Sequence, residues 1–151
     1  MEKRNKFDQL RGEHGASLVE LALLLPVFLL LIFGALDFGR LFYLESELAG
    51  AAHSAVLYGS QNPTDTSGMQ KAAQYDAPNV PNLSVGTPTY GCECSDGTSY
   101  VASCSPTKPT CSTNVVYRVN VTVTSTYTPL FPWPRIPSSM SLSNSASMRG
   151  Q

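Results

Sequence analysis

The chain has 151 residues, a formal net charge of -1 and 14% charged residues. This length corresponds to one small domain. The near-neutral balance, with no basic run after Arg11, provides no electrostatic site for nucleic acid. Because 42% of the residues are apolar, disorder throughout is excluded, and the crowding of charges in the first fifteen positions excludes an ordinary cytosolic globular protein.

A long apolar run follows this charged start. Residues 16–36 read ASLVELALLLPVFLLLIFGAL, and Glu20 is the only ionisable residue among them. About twenty predominantly apolar residues are needed to cross the bilayer core as a helix. The run is apolar on all sides, whereas a helix at the surface of a globular protein has one apolar stripe. The sequence therefore predicts a transmembrane helix over about residues 16–36.

The flanking charges predict the orientation of this helix. Four Lys or Arg residues precede the run, and Arg40 is the only one between the run and Lys71. Since Lys and Arg are retained on the cytoplasmic side, the amino terminus is predicted inside and the residues after about 40 exported. An ordinary secretory signal would have a shorter apolar region followed by a small-x-small cleavage site, which is not found here, so we expect the segment to stay attached.

Glu20 is unusual for its position near the cytoplasmic start of the run. A charged group deep in a bilayer costs about 2.5–3.5 kcal/mol on insertion scales and usually has a partner or a task. One interpretation is that Glu20 only reaches the headgroups from the first helical turn. The other follows from the spacing, because a cut between Gly15 and Ala16 would create an ammonium about one helical turn from Glu20, or facing the Glu20 of an adjacent copy. Such a pair would neutralise both charges and fix a lateral register between helices.

The stretch RGEHGASLVELALLLPV, residues 11–27, resembles the prepilin cleavage motif of type IV pilins and pseudopilins. More specifically it is similar to the TadE-like family, and the continuation through LDFGRLFY extends the resemblance to about residue 58. The resemblance implies a minor pilin or pseudopilin of the tight-adherence (Flp) pilus system. It implies cleavage between Gly15 and Ala16, which leaves residues 1–15 as a cytoplasmic leader, and charge pairing by Glu20 during assembly.

The same resemblance implies the partners and the location. The partners are other pilin or pseudopilin subunits, a prepilin peptidase, an inner-membrane assembly platform and the lipid bilayer. The location is the inner (cytoplasmic) membrane as a single-pass protein, and then the pilus filament. Leu21 follows Glu20 where the major Flp-type pilins carry Tyr, and those subunits are far shorter, so both departures favour a minor subunit. Whether that subunit is a tip, an initiator or an assembly factor stays open.

Two hypotheses of other classes compete with this one. A permanently anchored single-pass envelope protein would bind a partner through its exported domain and never enter a filament. A secreted enzyme would need cleavage after about Gly39 and a catalytic set, and the sequence shows no Ser/His/Asp set, paired carboxylates or phosphate-binding loop. We therefore predict no enzyme activity and no cofactor or metal.

The helix is predicted to continue outside the membrane. Apolar residues recur at helical spacing at positions 41, 44, 48, 52 and 55, and Gly59 suits the end of a helix. The prediction is one helix over residues 16–58 whose outer half docks on a sheet. Pro26 predicts a kink that is either a harmless bend or a joint used in assembly. Arg40 and Tyr43 are predicted to anchor the helix at the outer headgroups, in preference to a weak ion pair between Asp37 and Arg40.

Residues 59–151 are predicted to form an exported, disulfide-bearing domain with strands at its carboxyl end. Alternating apolar residues predict strands over Val116–Tyr127 and about Met140–Met148, with a third near Thr98–Val101. Met69–Tyr75 is predicted to be a short helix, and the proline-rich residues 129–137 a rigid loop. The fold class is therefore α+β, a long amino-terminal helix packed on a small antiparallel sheet, as the resemblance to pilins implies. An isolated hairpin is marginal, so we expect docking on the helix to stabilise the domain.

Four cysteines lie in one Pro/Gly/Ser-rich stretch: Cys92, Cys94, Cys104 and Cys111. Their spacing is not the double CxxC typical of zinc sites, and export favours disulfides. A bridge between the first two would be strained, which leaves either 92–104 with 94–111 or 92–111 with 94–104. Asp65 and Asp96 lie in Ser/Gly-rich loops, where aspartate more often supports a turn than binds calcium.

Overall fold

The computed structural model describes residues 9–104 and 108–150, and it describes no side chains for residues 9–14 and 16. The predicted leader cations Lys3, Arg4 and Lys6 lie outside the described residues. The chain divides into two compact units, Met1–Gly39 and Arg40–Gln151.

The longest element is the helix α1, Gln9–Gln61. Its sequence is rich in Leu and Ala, which are strong helix formers, and Pro26 lies inside it. In the first unit the large apolar side chains from Leu18 to Phe38 are exposed by 41–72%, apart from the half-buried Phe33. Within Ser17–Gln61 an 18-residue window has a mean hydropathy of 2.6 and no buried residue. By length and composition this helix could cross a membrane.

The second unit contains an antiparallel sheet of five strands and a second helix. The strands are β1 (Ser84–Val85), β2 (Thr89–Cys94), β3 (Tyr100–Val101), β4 (Val115–Tyr127) and β5 (Met140–Gly150), and the helix is α2 (Thr66–Asp76). Strand β5 pairs with β4 over residues 117–127, so β1 and β2 share the opposite edge of β4. Strand β3 pairs with β2. The predicted α+β class with a long amino-terminal helix and a small antiparallel sheet is confirmed.

Strands β1 and β2 are two parts of one interrupted strand along β4. Ser84 is paired with Thr124 and Thr89 with Asn120, so the chain advances five residues where β4 advances four. One extra residue is therefore accommodated between them, as in a β-bulge. The Gly86 amide still donates to the Thr122 carbonyl at 2.9 Å, whereas Pro88 has no amide hydrogen to donate. This interruption explains why the sequence analysis predicted neither strand.

The core of the second unit lies between α1, α2 and one face of the sheet. The buried apolar residues are Leu44, Leu48, Ala51, Ala52, Ala55, Val56, Met69, Ala73, Ala77, Val80, Val119, Val121, Val123, Tyr127 and Leu142. The helical stripe predicted from the spacing of apolar residues is confirmed, with Leu41 partly buried at its start. The three buried alanines on α1 have short side chains, which allow its backbone to approach its neighbours closely.

Candidate assembly site

Glu20 lies on α1 in an apolar and exposed stretch of the first unit. Leu18, Val19 and Leu21 beside it are all more than half exposed. Ala16 is four residues before Glu20, and residues at this spacing share one helix face about 6 Å apart along the axis. Cleavage before Ala16 would therefore place an ammonium and a carboxylate on one face of an otherwise apolar helix.

The Gly15–Ala16 bond lies within α1, because the helix begins at Gln9. Gly15 is exposed, and a Cβ atom added to it would meet no heavy atom within 4 Å. Glycine in a helix interior costs about 1 kcal/mol relative to alanine. Gly15 is thus an open position at which helix unwinding needs comparatively little free energy, as access by a peptidase would require.

Pro26 lies ten residues after the predicted cleavage position, inside α1. Its ring nitrogen has no hydrogen, so the Ala22 carbonyl lacks the helical donor that any other residue would supply. In a bilayer that carbonyl needs another donor, from a side chain, a water or a neighbouring helix. The kink at Pro26 and its use in assembly stay predictions.

Arg40 and Tyr43 lie at the start of the second unit. The guanidinium carbon of Arg40 is 5.9 Å from the centroid of the Tyr127 ring, which is within the range of a cation–π contact. This contact joins the start of the unit to the end of β4. Tyr43 and its neighbour Phe42 are exposed. The predicted role of Arg40 and Tyr43 as a membrane anchor stays a prediction.

Two disulfides hold the segment after β2 against the sheet. Cys92 is bonded to Cys104 and Cys94 to Cys111, which is the first of the two connectivities that the sequence left open. The bonds close loops with sequence separations of 12 and 17 residues. Each closure stabilises the fold by about 2–4 kcal/mol, mainly by restricting the unfolded chain.

Glu93 forms an ion cluster with two arginines on the sheet face opposite the core. Glu93 lies between Cys92 and Cys94 in the sequence of β2, and the two cysteines are buried on the other face of that strand. Glu93 itself is only 4% exposed. Arg118 on β4 donates from Nε to Oε2 at 2.6 Å and from Nη2 to Oε1 at 3.1 Å. Arg149 on β5 donates from Nε to Oε1. One carboxylate thus connects three strands.

The two guanidinium groups control the ionisation of Glu93. Hydrogen bonding from Arg118 lowers the pKa of Glu93, burial opposes that shift, and hydrogen bonding from Arg149 adds to the lowering. The same contact with Glu93 raises the pKa of Arg118. The sequence analysis predicted the strand that contains Arg118, Val116–Tyr127, but missed Glu93. The alternation Cys-Glu-Cys was an available signal, since two cysteines facing the core direct the residue between them outward.

We expect Glu93→Gln to lower the free energy of unfolding at neutral pH by about 2–3 kcal/mol, because two arginines lose their counter-charge while remaining partly hydrated. A carboxyl group whose pKa is lowered in the folded state stabilises above its unfolded pKa, about 4.3, and that stabilisation is lost as the pH falls through the folded value. The wild type should therefore lose more stability than the variant below about pH 4.3. Denaturant unfolding of the detergent-solubilised chain at several pH values measures this difference. The exposed Glu45→Gln is the matched control, and equal losses in both variants would contradict the prediction.

Asp65 and Asp96 make local contacts of the kind that support turns. Asp65 accepts hydrogen bonds from the Gly68 amide at 2.8 Å and the Tyr58 hydroxyl at 2.7 Å, which caps α2 and lowers the pKa of Asp65. Asp96 accepts from the amide and hydroxyl of Thr98 at 3.0 and 2.7 Å. Within residues 9–104 and 108–150, no group of three or more His, Cys, Asp or Glu side chains is placed to hold a metal ion.

The long apolar helix and the disulfide-bonded antiparallel sheet define the class of the protein, an α+β domain with one long helix at its amino-terminal end. The family model described as "TadE: TadE-like protein" matches residues 15–57, and the resemblance found in the sequence is confirmed over these 43 of the 151 residues. The match begins at Gly15, includes Glu20, Pro26 and Arg40, and ends one residue after Val56, the last core residue of α1. No curated protein and no solved structure matches the chain.

Proposed function

We propose that the protein is a minor pilin or pseudopilin of a tight-adherence (Flp) type IV pilus. The observation that carries this proposal is the TadE-like match, which begins at Gly15 and includes a carboxylate on an exposed apolar helix. Before assembly the protein is held in the inner membrane by residues 16–36, with its amino terminus in the cytoplasm and its second unit exported. Its function is structural and involves no catalysis.

The proposed mechanism begins with removal of residues 1–15 by a prepilin peptidase. The new ammonium at Ala16 then pairs with the carboxylate of Glu20 in an adjacent subunit. Both charges are neutralised where water is scarce, and the pair fixes the axial register of the two helices. The exposed apolar side chains of residues 18–38 supply the lateral contacts, first with lipid and then with other subunits.

The second unit gives the exported end of the helix a stable shape. Leu44, Leu48 and Val56 of α1 are buried in the core of that unit, so the helix cannot be withdrawn without unfolding it. The disulfides hold the segment after β2 against the sheet, and the Glu93 cluster joins β2, β4 and β5 on the face opposite the core. Force applied to α1 during assembly would therefore be transmitted to the folded domain. The joint proposed at Pro26 would let the apolar half bend as the subunit leaves the bilayer.

The intact mass of the membrane-extracted protein tests this proposal. Expressed together with a prepilin peptidase, the chain is expected to lose Met1–Gly15 and to begin at Ala16; without the peptidase it should keep those residues. Gly15→Val should block the cut, because it adds a branched side chain at the cleavage position, whereas Gly12→Val is the matched control. A full-length mass in the presence of an active peptidase would instead favour the permanently anchored envelope protein.

A further inference from the structure

The loop between β4 and β5 exposes large apolar side chains outside the core. Residues 128–139 read TPLFPWPRIPSS. Leu130 is 55% exposed, Phe131 36% and Ile136 41%. These residues lie within the second unit, whose core apolar side chains come mainly from α1, α2 and one face of the sheet. Exposed apolar residues concentrated in one loop indicate an interaction surface.

The backbone of this loop is held in a defined turn. The Ile136 amide donates to the Trp133 carbonyl at 3.2 Å, with Pro134 and Arg135 at the two central positions. Arg135 has a φ of 70°, which is the geometry of a type II turn, where glycine is usual at this position. A long charged side chain is thus kept at a strained position, and strain of this kind is concentrated at binding sites. The four prolines of the loop reduce the conformational entropy lost on binding.

The start of the loop lies close to Arg40, which is four residues beyond the end of the predicted membrane span. Tyr127 ends β4 and contacts Arg40 at 5.9 Å. Arg40 is four residues after Leu36, a rise of about 6 Å along a helix. Each headgroup region of a bilayer is roughly 5–8 Å thick. If residues 16–36 span the bilayer, Arg40 and the start of the loop lie at the outer headgroups.

We propose that the loop of residues 128–139 is a second membrane contact, which inserts into the outer-leaflet interface of the bilayer that α1 crosses. Its chemistry fits this partner, because Leu130, Phe131 and Ile136 suit the acyl boundary and tryptophan is enriched at interfaces. Arg135 is exposed at the turn and supplies a cation for an anionic lipid phosphate. The proposal rests on the membrane placement in the proposed function, but not on polymerisation. The contact would hold the exported unit close to the membrane until the subunit enters a filament.

Trp133 makes this proposal directly measurable, because it is the only tryptophan in the chain. The full chain is reconstituted into phosphatidylethanolamine/phosphatidylglycerol vesicles, and vesicle flotation first establishes that it is membrane-bound. Quenching of Trp133 is then compared between lipids brominated near the glycerol end of the acyl chain and aqueous acrylamide. A second protein, Trp133→Phe with Leu130→Trp, moves the reporter to the most exposed apolar position of the loop. We expect shallow bromine to quench both reporters and the bilayer to reduce acrylamide quenching at position 130 by at least about twofold.

A double variant and a control variant test whether the apolar side chains of the loop hold it in the bilayer. Ile136→Thr with Leu130→Thr should make Trp133 at least about twofold more accessible to acrylamide in vesicles, because the loop loses apolar contacts. Val115→Thr changes an exposed aliphatic residue at the far end of β4 and should leave the quenching unchanged. If the chain floats with vesicles while bromine quenches neither reporter, the loop proposal is overturned and the proposed function stands. If the chain does not float, the membrane placement required by both proposals is overturned.

Discussion

Glu20→Ala is expected to reduce incorporation of the protein into pili by at least about a hundredfold. The variant leaves the ammonium of the neighbouring Ala16 without its counter-charge inside an apolar helix interface. Removing one partner of a buried ion pair typically costs about 3–5 kcal/mol, and each 1.4 kcal/mol is a factor of ten in association. The measurement is the amount of the subunit in sheared, sedimented pili relative to the amount in the membrane, in cells that carry a tight-adherence assembly system.

Two controls separate this assembly role from processing and folding. Glu45→Ala removes an exposed carboxylate from the same helix and should leave incorporation unchanged. The intact mass of the Glu20→Ala protein should still show removal of Met1–Gly15, because Gly15 at the proposed cleavage site lies five residues before Glu20. Incorporation of Glu20→Ala at the wild-type level would remove Glu20 from the mechanism, even if the protein proves to be a pilus component.

The two units use apolar residues in different ways. In the described part of Met1–Gly39 the large apolar side chains from Leu18 to Phe38 are exposed, apart from the half-buried Phe33, and lipid or other helices could cover them. In Arg40–Gln151 the apolar side chains of α1 form one stripe that the sheet and α2 cover. The proposed pilin role needs both arrangements, since such a subunit would exchange one apolar environment for another while its second unit stays folded.

Elements with strong periodicity were predictable from the sequence. The helical stripe of α1 and the alternation in β4 each extend over a dozen residues or more, so local irregularities do not obscure them. Both strands at the carboxyl end were predicted within two residues of their observed bounds, Val115–Tyr127 and Met140–Gly150. The all-round apolar run likewise favoured a membrane segment over a core helix by composition alone, and its 18-residue window has no buried residue.

The remaining features depend on contacts between distant parts of the chain. Strand β1 has two residues, β2 contains Gly91, Cys92 and Cys94, and a bulge that includes Pro88 separates them, so neither strand has enough alternating residues to be recognised. The disulfide connectivity depends on which cysteines the turn after β2 brings together. The ion cluster depends on the register that places Arg118 opposite Arg149, and one residue of slippage would move every side chain to the other face. The sequence contains the residues of this site but not their pairing.

We expect Leu48→Ala to lower the free energy of unfolding by about 3–5 kcal/mol, whereas Leu57→Ala should lower it by less than about 1 kcal/mol. Both changes remove the same atoms from α1, and alanine is the better helix former in both cases. They differ in environment, because Leu48 is 0% exposed in the core and Leu57 is 48% exposed. Only the first substitution therefore opens a cavity between the helix and the sheet.

Denaturant unfolding of the detergent-solubilised chain, followed by near-ultraviolet circular dichroism with the disulfides intact, measures both values. Near-ultraviolet signals report tertiary packing, so the detergent-covered part of α1 contributes little to the transition. Equal losses for the two variants would show that the stripe does not dock on the sheet. A large loss confined to Leu48→Ala would show that the carboxyl-terminal end of α1 is an integral part of the second unit, as the proposed transmission of assembly force through this helix requires.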